Sequence, residues 1–241
     1  VGTSGGLARL QHDLHDGALA GLVFSYSAHE LLSCDFLRAP TVPIVHHSCG
    51  FPAPGLFIES PRESPTSAAL GLIRGDGSTE VAVLTTSLQS PAEISRALRA
   101  HDFACRPERV LATSPYKRLW VGNAVAALFS GDTPEALLIT DDHLVEPAVA
   151  ALAELQGGLR QRPRIYGHWN FPLPYNGSLP ITLCGYDAPA WMRRAVEMIG
   201  EHPSPPDGAV TEAGPELNLE HTAACTRRGG GDNGNLLKRA Q

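Results

Sequence analysis

The chain has 241 residues, 43% of them hydrophobic, and 25 acidic against 19 basic residues leave a formal net charge of −6. That is enough length and apolar content for one large domain or two lobes with a sizeable core, and it excludes a disordered chain. No basic stripe is long enough to neutralise many phosphates, so nucleic-acid binding by this stretch alone is not expected.

Five cysteines, Cys34, Cys49, Cys105, Cys184 and Cys225, are widely spaced and form no CxxC pair. An odd number at such spacing suits reduced thiols of a cytoplasmic protein better than a disulfide framework or a zinc site. There is no apolar run of about 18 residues, so no membrane span is expected. No signal peptide is present either. The chain opens on Val1, which reads as the start of a fragment.

In chain order, short apolar runs predict strands at 21–27 ("GLVFSYS"), 42–48 ("VPIVHHS"), 55–60 ("GLFIES") and 80–86 ("EVAVLTT"). Further runs follow at 109–113 ("RVLAT"), 135–140 ("EALLIT"), 162–169 ("RPRIYGHW") and 180–186 ("PITLCGY"). Between them, apolar residues recurring at three- and four-residue steps predict helices over 65–75, 92–102, 119–130, 143–156 and 188–201. Such alternation predicts parallel sheets covered on both faces. Residues 203–215, "PSPPDGAVTEAGP", read as a loop rich in Pro and Gly. "ELNLEHT" (216–222) reads as an added edge strand, and 226–241 as a disordered tail. No internal repeat is found.

The junction "LLITDDHLVEPAVAALAEL" carries two adjacent aspartates between a buried run and an apolar helix. Asp142 falls where a helix N-cap belongs, and its carboxylate there accepts from free backbone N–H groups at the positive end of the helix dipole. Asp141 ends a parallel strand, at the edge where open α/β sheets bind ligands. It reads either as an acceptor for a ligand hydroxyl or amine, or as a solvated loop residue.

The same stretch resembles the effector-binding domain of lactose- and galactose-repressor (LacI/GalR) type transcriptional regulators, in which a strand, an Asn/Asp-Asp pair and an amphipathic helix follow in this order. "HDGALAGLVFS", "VPIVHHS", "SPTSAALGLIRGDGSTEVAVLTT", "SRALRAHDF", "RIYGHWN" and "LPITLCGYDAPAWMRRAVEMI" resemble further segments of that family, in its order. The resemblance covers roughly residues 10 to 202. It implies an α/β architecture of two Rossmann-like lobes with parallel sheets and a ligand cleft between them, periplasmic-binding-protein-like, type I. The first lobe would be 1–60 plus 172–202, incomplete at its N-terminus, and the second 61–170, with 216–222 possible as an added strand. It also implies a small-molecule effector such as a sugar, a homodimer, and lobe closure that controls a DNA-binding head absent from this chain. No cofactor is implied.

Ligand-binding candidates follow from matched positions and from strand ends. Arg96 matches the family arginine that reaches into the cleft, where its rigid fork of donors suits hydroxyls or a carboxylate; the alternative is a surface helix arginine. Trp169 stands where the family has the aspartate of a Gly-Tyr-Asp turn. It would stack on a ligand face, in which case Trp169→Ala lowers affinity at least ~10-fold, or it packs the core, in which case the loss falls on stability. His168 and Asn170 flank it. Ser25 and Tyr26 end the first predicted strand, and Ser48 stands where an aspartate often ends the second. Tyr116 lies on the loop after "RVLAT", and Asp187 follows "ITLCGY", in a hinge or a ligand role. Ser90 replaces an arginine that some members use for ligand.

His46–His47 and Asp141–His143 are the histidine and carboxylate clusters. Neighbours on a strand point to opposite faces, so His46 and His47 do not share an ion, and no metal site is assigned. No G-x-S-x-G, P-loop, H-E-x-x-H or G-x-G-x-x-G occurs, so no catalytic residue is assigned. The sequence reading is a sensing domain of a bacterial regulator. A transport solute-binding protein and an α/β enzyme acting on a sugar or nucleotide are the alternatives.

Overall fold

The computed structural model describes residues 4–24, 40–47, 55–59, 64–87, 89–159, 161–206, 208–214 and 216–222. Ser25, Tyr26, Ser48 and the tail 226–241 lie outside them. The described chain is an α/β structure with parallel strands. In order it runs α1 (Ser4–His15), β1 (Leu22–Phe24), β2 (Ile44–His47), β3 (Gly55–Glu59), α2 (Pro65–Gly75), β4 (Val81–Thr86), α3 (Pro91–Ala100) and β5 (Val110–Thr113). There follow α4 (Arg118–Leu128), β6 (Ala136–Ile139), α5 (Asp142–Leu155), β7 (Arg164–Phe171), β8 (Ile181–Asp187), α6 (Ala188–Glu201), β9 (Ala209–Ala213) and β10 (Leu217–Thr222).

The chain divides into two units. The first comprises residues 1–72, 168–174 and 184–219; the second comprises 73–167, 175–183 and 220–241. Against the expected lobes, 61–72, with most of α2, and His168–Asn170 of β7 fall in the first unit, whereas 175–183, with the start of β8, falls in the second. A strand is continuous in sequence, so its apolar pattern carries no mark of the point where its neighbours change.

The first unit holds a four-stranded sheet in the order β1-β2-β3-β9, with neighbouring strands parallel. β9 corrects the loop expected at 203–215. Residues 209–213 pair in register with β3, from Gly55 with Ala209 to Glu59 with Ala213. Pro and Gly on both sides of a five-residue stretch masked it; the open edge of β3 supplies the hydrogen bonds that make it a strand. Arg194 on α6 ties down this edge. Its Nε donates to Glu212 of β9 at 2.8 Å, and its Nη atoms reach Glu201 at 3.0 and 3.1 Å. Beneath it, Trp191, Ala195 and Met198 of α6 pack on Val45, Leu56 and Ile58 of the sheet.

Across this sheet Phe24, His46 and Phe57 are register partners on three neighbouring strands. Their rings stack at centroid distances of 5.5 and 5.3 Å. His46 is buried, and burial pushes its imidazole below the ordinary 6.5. The sign follows from linkage. Between the lowered folded value and 6.5 the unfolded chain binds more protons than the folded one, so stability falls as pH drops through that window. The urea midpoint of wild type should therefore fall between pH 7.5 and pH 5.5 more than that of His46→Phe, which keeps the aromatic row and removes the titration. Equal falls in the two proteins would show that His46 does not contribute.

The second sheet runs β10-β8-β7-β6-β4-β5, with β5, β4, β6 and β7 parallel. β6 and the first four residues of β4 are continuous apolar runs, and both strands are buried throughout, as a parallel sheet covered on both faces requires. α4 and α5 turn Val121, Val125 and Leu128, and Leu144, Val145, Ala148, Val149 and Leu152, into the core. The turn after α2 carries Gly77, whose φ of 80° suits a residue without a Cβ. Gly77 and Ser78 donate back to the carbonyls of Arg74 and Ile73, closing the last turn before β4.

Candidate functional site

Parallel strands bring all their carboxyl ends to one edge of a sheet, and the loops leaving that edge are where α/β folds place ligands. In the second unit this edge carries Thr85–Thr86, Thr113–Ser114 and Thr140–Asp142. The hydroxyls of Thr85 and Thr140 are buried, so they need partners. Thr140 donates to Thr85 at 2.9 Å, Thr85 donates to Gln89 Oε1 at 2.5 Å, and Gln89 Nε2 donates to the Thr140 carbonyl at 3.4 Å. This network joins β4 to β6 and sets the start of the loop that follows β4.

Beside it opens a recess of about 370 Å³, lined by Ser87, Ala112, Thr113, Ser114, Trp120, Asn123 and Ala124. That lies within the ~300–1,000 Å³ usual for small-solute sites. One wall is the first two turns of α4. Trp120 lines it with half its surface open to solvent, and the Lys117 ammonium lies 3.9 Å from the centroid of its ring. The polar lining is made of neutral hydroxyls and one amide, groups that both donate and accept. An indole face with such groups around it suits a polyhydroxylated solute.

The expected site residues fall in several places. Asp141 and Asp142 are half-buried at the start of α5. The His143 N–H lies 3.0 Å from an oxygen of each, so the capping expected of Asp142 is shared with Asp141. The His143 ring closes on the pair, at 2.8 Å from Asp142 and 3.4 Å from Asp141. These three residues are close enough together to offer atoms to one ion, but they satisfy one another and two of their interactions are ordinary helix capping. Arg96 is exposed on α3, and Tyr116 is almost fully exposed on the loop before α4.

The other candidates belong to the first unit. Trp169 is buried, with 6% of its surface exposed, and its indole N–H donates to the Leu173 carbonyl at 2.7 Å. His168 packs edge-on against Tyr186 at 5.8 Å. Asn170 is half-buried. Asp187 caps α6, accepting from the Ala190 N–H at 2.8 Å. Sequence reasoning missed Trp120, Asn123, Ser87 and Thr113. The signal available was the strand-end rule that singled out Asp141, applied equally to the ends of β4 and β5.

Neither a family model nor a curated protein matches the chain. Solved structures do. A chain assigned to the LacI family of transcriptional regulators from Sanguibacter keddieii superposes with a TM-score of 0.65 at 20% identity, over 91% of this chain and 82% of that one. A LacI-family repressor structure from Corynebacterium glutamicum gives 0.65 at 17% identity, over 94% and 85%. A sugar-binding LacI-family regulator from Escherichia coli, complexed with phosphate, gives 0.61 at 16% identity, over 90% and 82%. The chain has their fold. It is the periplasmic-binding-protein-like fold that the sequence resemblance implied. No helix among the described residues is long and apolar enough to cross a membrane.

Proposed function

We propose that this chain is the small-molecule-sensing domain of a bacterial transcriptional regulator, with a sugar or a related polyhydroxy solute as effector. The observation that carries the reading is the recess at the carboxyl edge of the second unit, with its indole face and neutral hydroxyl and amide lining. The likeness in fold to LacI-family regulators over about nine-tenths of the chain supports it. Binding would favour one of two conformations of the domain, and the difference in affinity between them would be the signal passed to an attached DNA-binding head. The protein works as a homodimer in the cytoplasm on this reading, reaches DNA only through that head, and performs no catalysis. Arg96, Asp141 and Tyr116 remain assigned to solute contact, together with the recess residues.

The test is a melting-temperature screen of the purified chain against monosaccharides, sugar acids, sugar phosphates and nucleosides. A hit should raise the melting temperature in proportion to the logarithm of its concentration. Trp120→Ala should then weaken that hit about tenfold, the loss of ~1.4 kcal/mol, and leave the melting temperature of the free protein unchanged, because the ring is half exposed. A screen with no stabilising solute would overturn the sensing reading. A hit that is indifferent to Trp120→Ala would move the site away from the recess.

A further inference from the structure

The beginning of α4 is built against the usual rule. Helix N-termini carry a partial positive charge and favour acidic residues. Here Lys117 is the N-cap, Arg118 follows it, the first turn has no acidic residue, and no side chain caps the free N–H groups. From Val110 to Gly131 the sequence contains neither Asp nor Glu. Among the described residues, neither Lys117 nor Arg118 has an ion-pair partner. Two like charges on the positive end of a dipole destabilise the helix slightly.

A second observation lies in the sheet. Thr86 is 1% exposed, and its hydroxyl has no hydrogen-bond partner. Buried hydroxyls are seldom left so, because an unmade hydrogen bond costs ~1–3 kcal/mol. Thr86 is the register partner of Thr113, which lines the recess. Register partners on parallel strands project to the same face, so the orphaned hydroxyl is directed to the side on which Thr113 meets the recess. Ser87, the next residue, and Ser114 line it too. An uncapped helix end, an ammonium with no ion-pair partner among the described residues, and an unsatisfied buried hydroxyl thus lie next to residues that line one recess, Trp120 and Thr113, and that lining holds no acid.

We infer that the effector is anionic: a polyhydroxy solute carrying a phosphate or carboxylate group, whose oxyanion is held at the start of α4 by Lys117 and the hydroxyls around it, while its carbon skeleton lies against Trp120. This rests on the sensing reading above and narrows it. Charge-assisted hydrogen bonds are about twice as strong as neutral ones, so the charged group would dominate affinity and a neutral sugar of the same size would bind more weakly.

The experiment titrates the chain with glucose, gluconate, glucose 6-phosphate and inorganic phosphate at low ionic strength, followed by calorimetry and tryptophan fluorescence. The expected result is that at least one of the three anions binds tenfold or more tightly than glucose. Lys117→Gln should abolish that advantage without changing the melting temperature of the free protein, since Lys117 is exposed. Thr86→Val should weaken the same anion. Binding of gluconate but neither phosphate species would identify the group as a carboxylate, and the reverse pattern as a phosphate. The inference is overturned if no anion binds better than glucose, or if Lys117→Gln leaves anion affinity unchanged. Glucose binding under either of those outcomes leaves the sensing reading standing, and failure of the wider screen as well removes both.

Discussion

Gly185→Ala should leave little folded protein at ordinary temperature. Gly185 lies in β8, and a Cβ at this position would sit 1.8 Å from the carbonyl oxygen of Trp169 and 2.8 Å from its carbon. These are backbone atoms of β7, not the flexible end of a side chain, so the strands themselves would have to separate. Overpacking a core usually costs ~1–3 kcal/mol and more where backbone must move. Domains have only ~5–15 kcal/mol in hand. The expected result is loss of soluble protein, or a urea midpoint far below wild type. Gly122→Ala is the control, because nothing lies within 4 Å of a Cβ there and it sits in a helix. Equal midpoints for Gly185→Ala and wild type would show that the two strands are further apart than this geometry has them.

The carbonyl that Gly185 accommodates belongs to the residue behind the second large effect. Trp169→Ala should lower stability by ~3–5 kcal/mol, the range for truncating a large buried aromatic. The ring is 6% exposed, and its N–H is committed to the Leu173 carbonyl. Truncation therefore leaves a cavity and removes the hydrogen bond to Leu173 together. Of the two readings open at the sequence level, stacking on a solute and packing in a core, burial favours the second. The two separate cleanly by experiment. A large fall in the urea midpoint of the solute-free protein supports packing, whereas an unchanged midpoint with a tenfold loss of solute affinity would return Trp169 to the site. Trp169→Phe should recover most of the packing and none of the N–H bond.

Much of the fold was legible because its signals are local. Runs such as Val81–Leu84 and Ala136–Ile139 are apolar without interruption because both faces of a parallel strand are buried, and no neighbour's identity is needed to see it. Helices such as Pro91–Ala100 announce themselves by Ile94 and Leu98 four residues apart. The strand β9 was not legible. Its hydrogen bonds come from β3, some 150 residues earlier in the chain, and its own sequence between Pro and Gly carries only a weak preference. α1 was passed over for the opposite reason: among its described residues only Leu14 is buried, so its pattern has little apolar face to display.

The site divides along the same line. The sequence by itself determined the strand–helix alternation, the carboxyl-end position of Asp141 and Asp142, and the acidic charge balance. Only the tertiary structure decided that Trp169, between His168 and Asn170, is buried while Trp120, between Leu119 and Val121, is open. Burial depends on what packs against a residue from elsewhere in the chain, and that information is not local. The same holds for Thr86, whose missing partner is a fact about its surroundings. It holds also for the recess, which exists because the carboxyl ends of β4 and β5 meet the start of α4 in space.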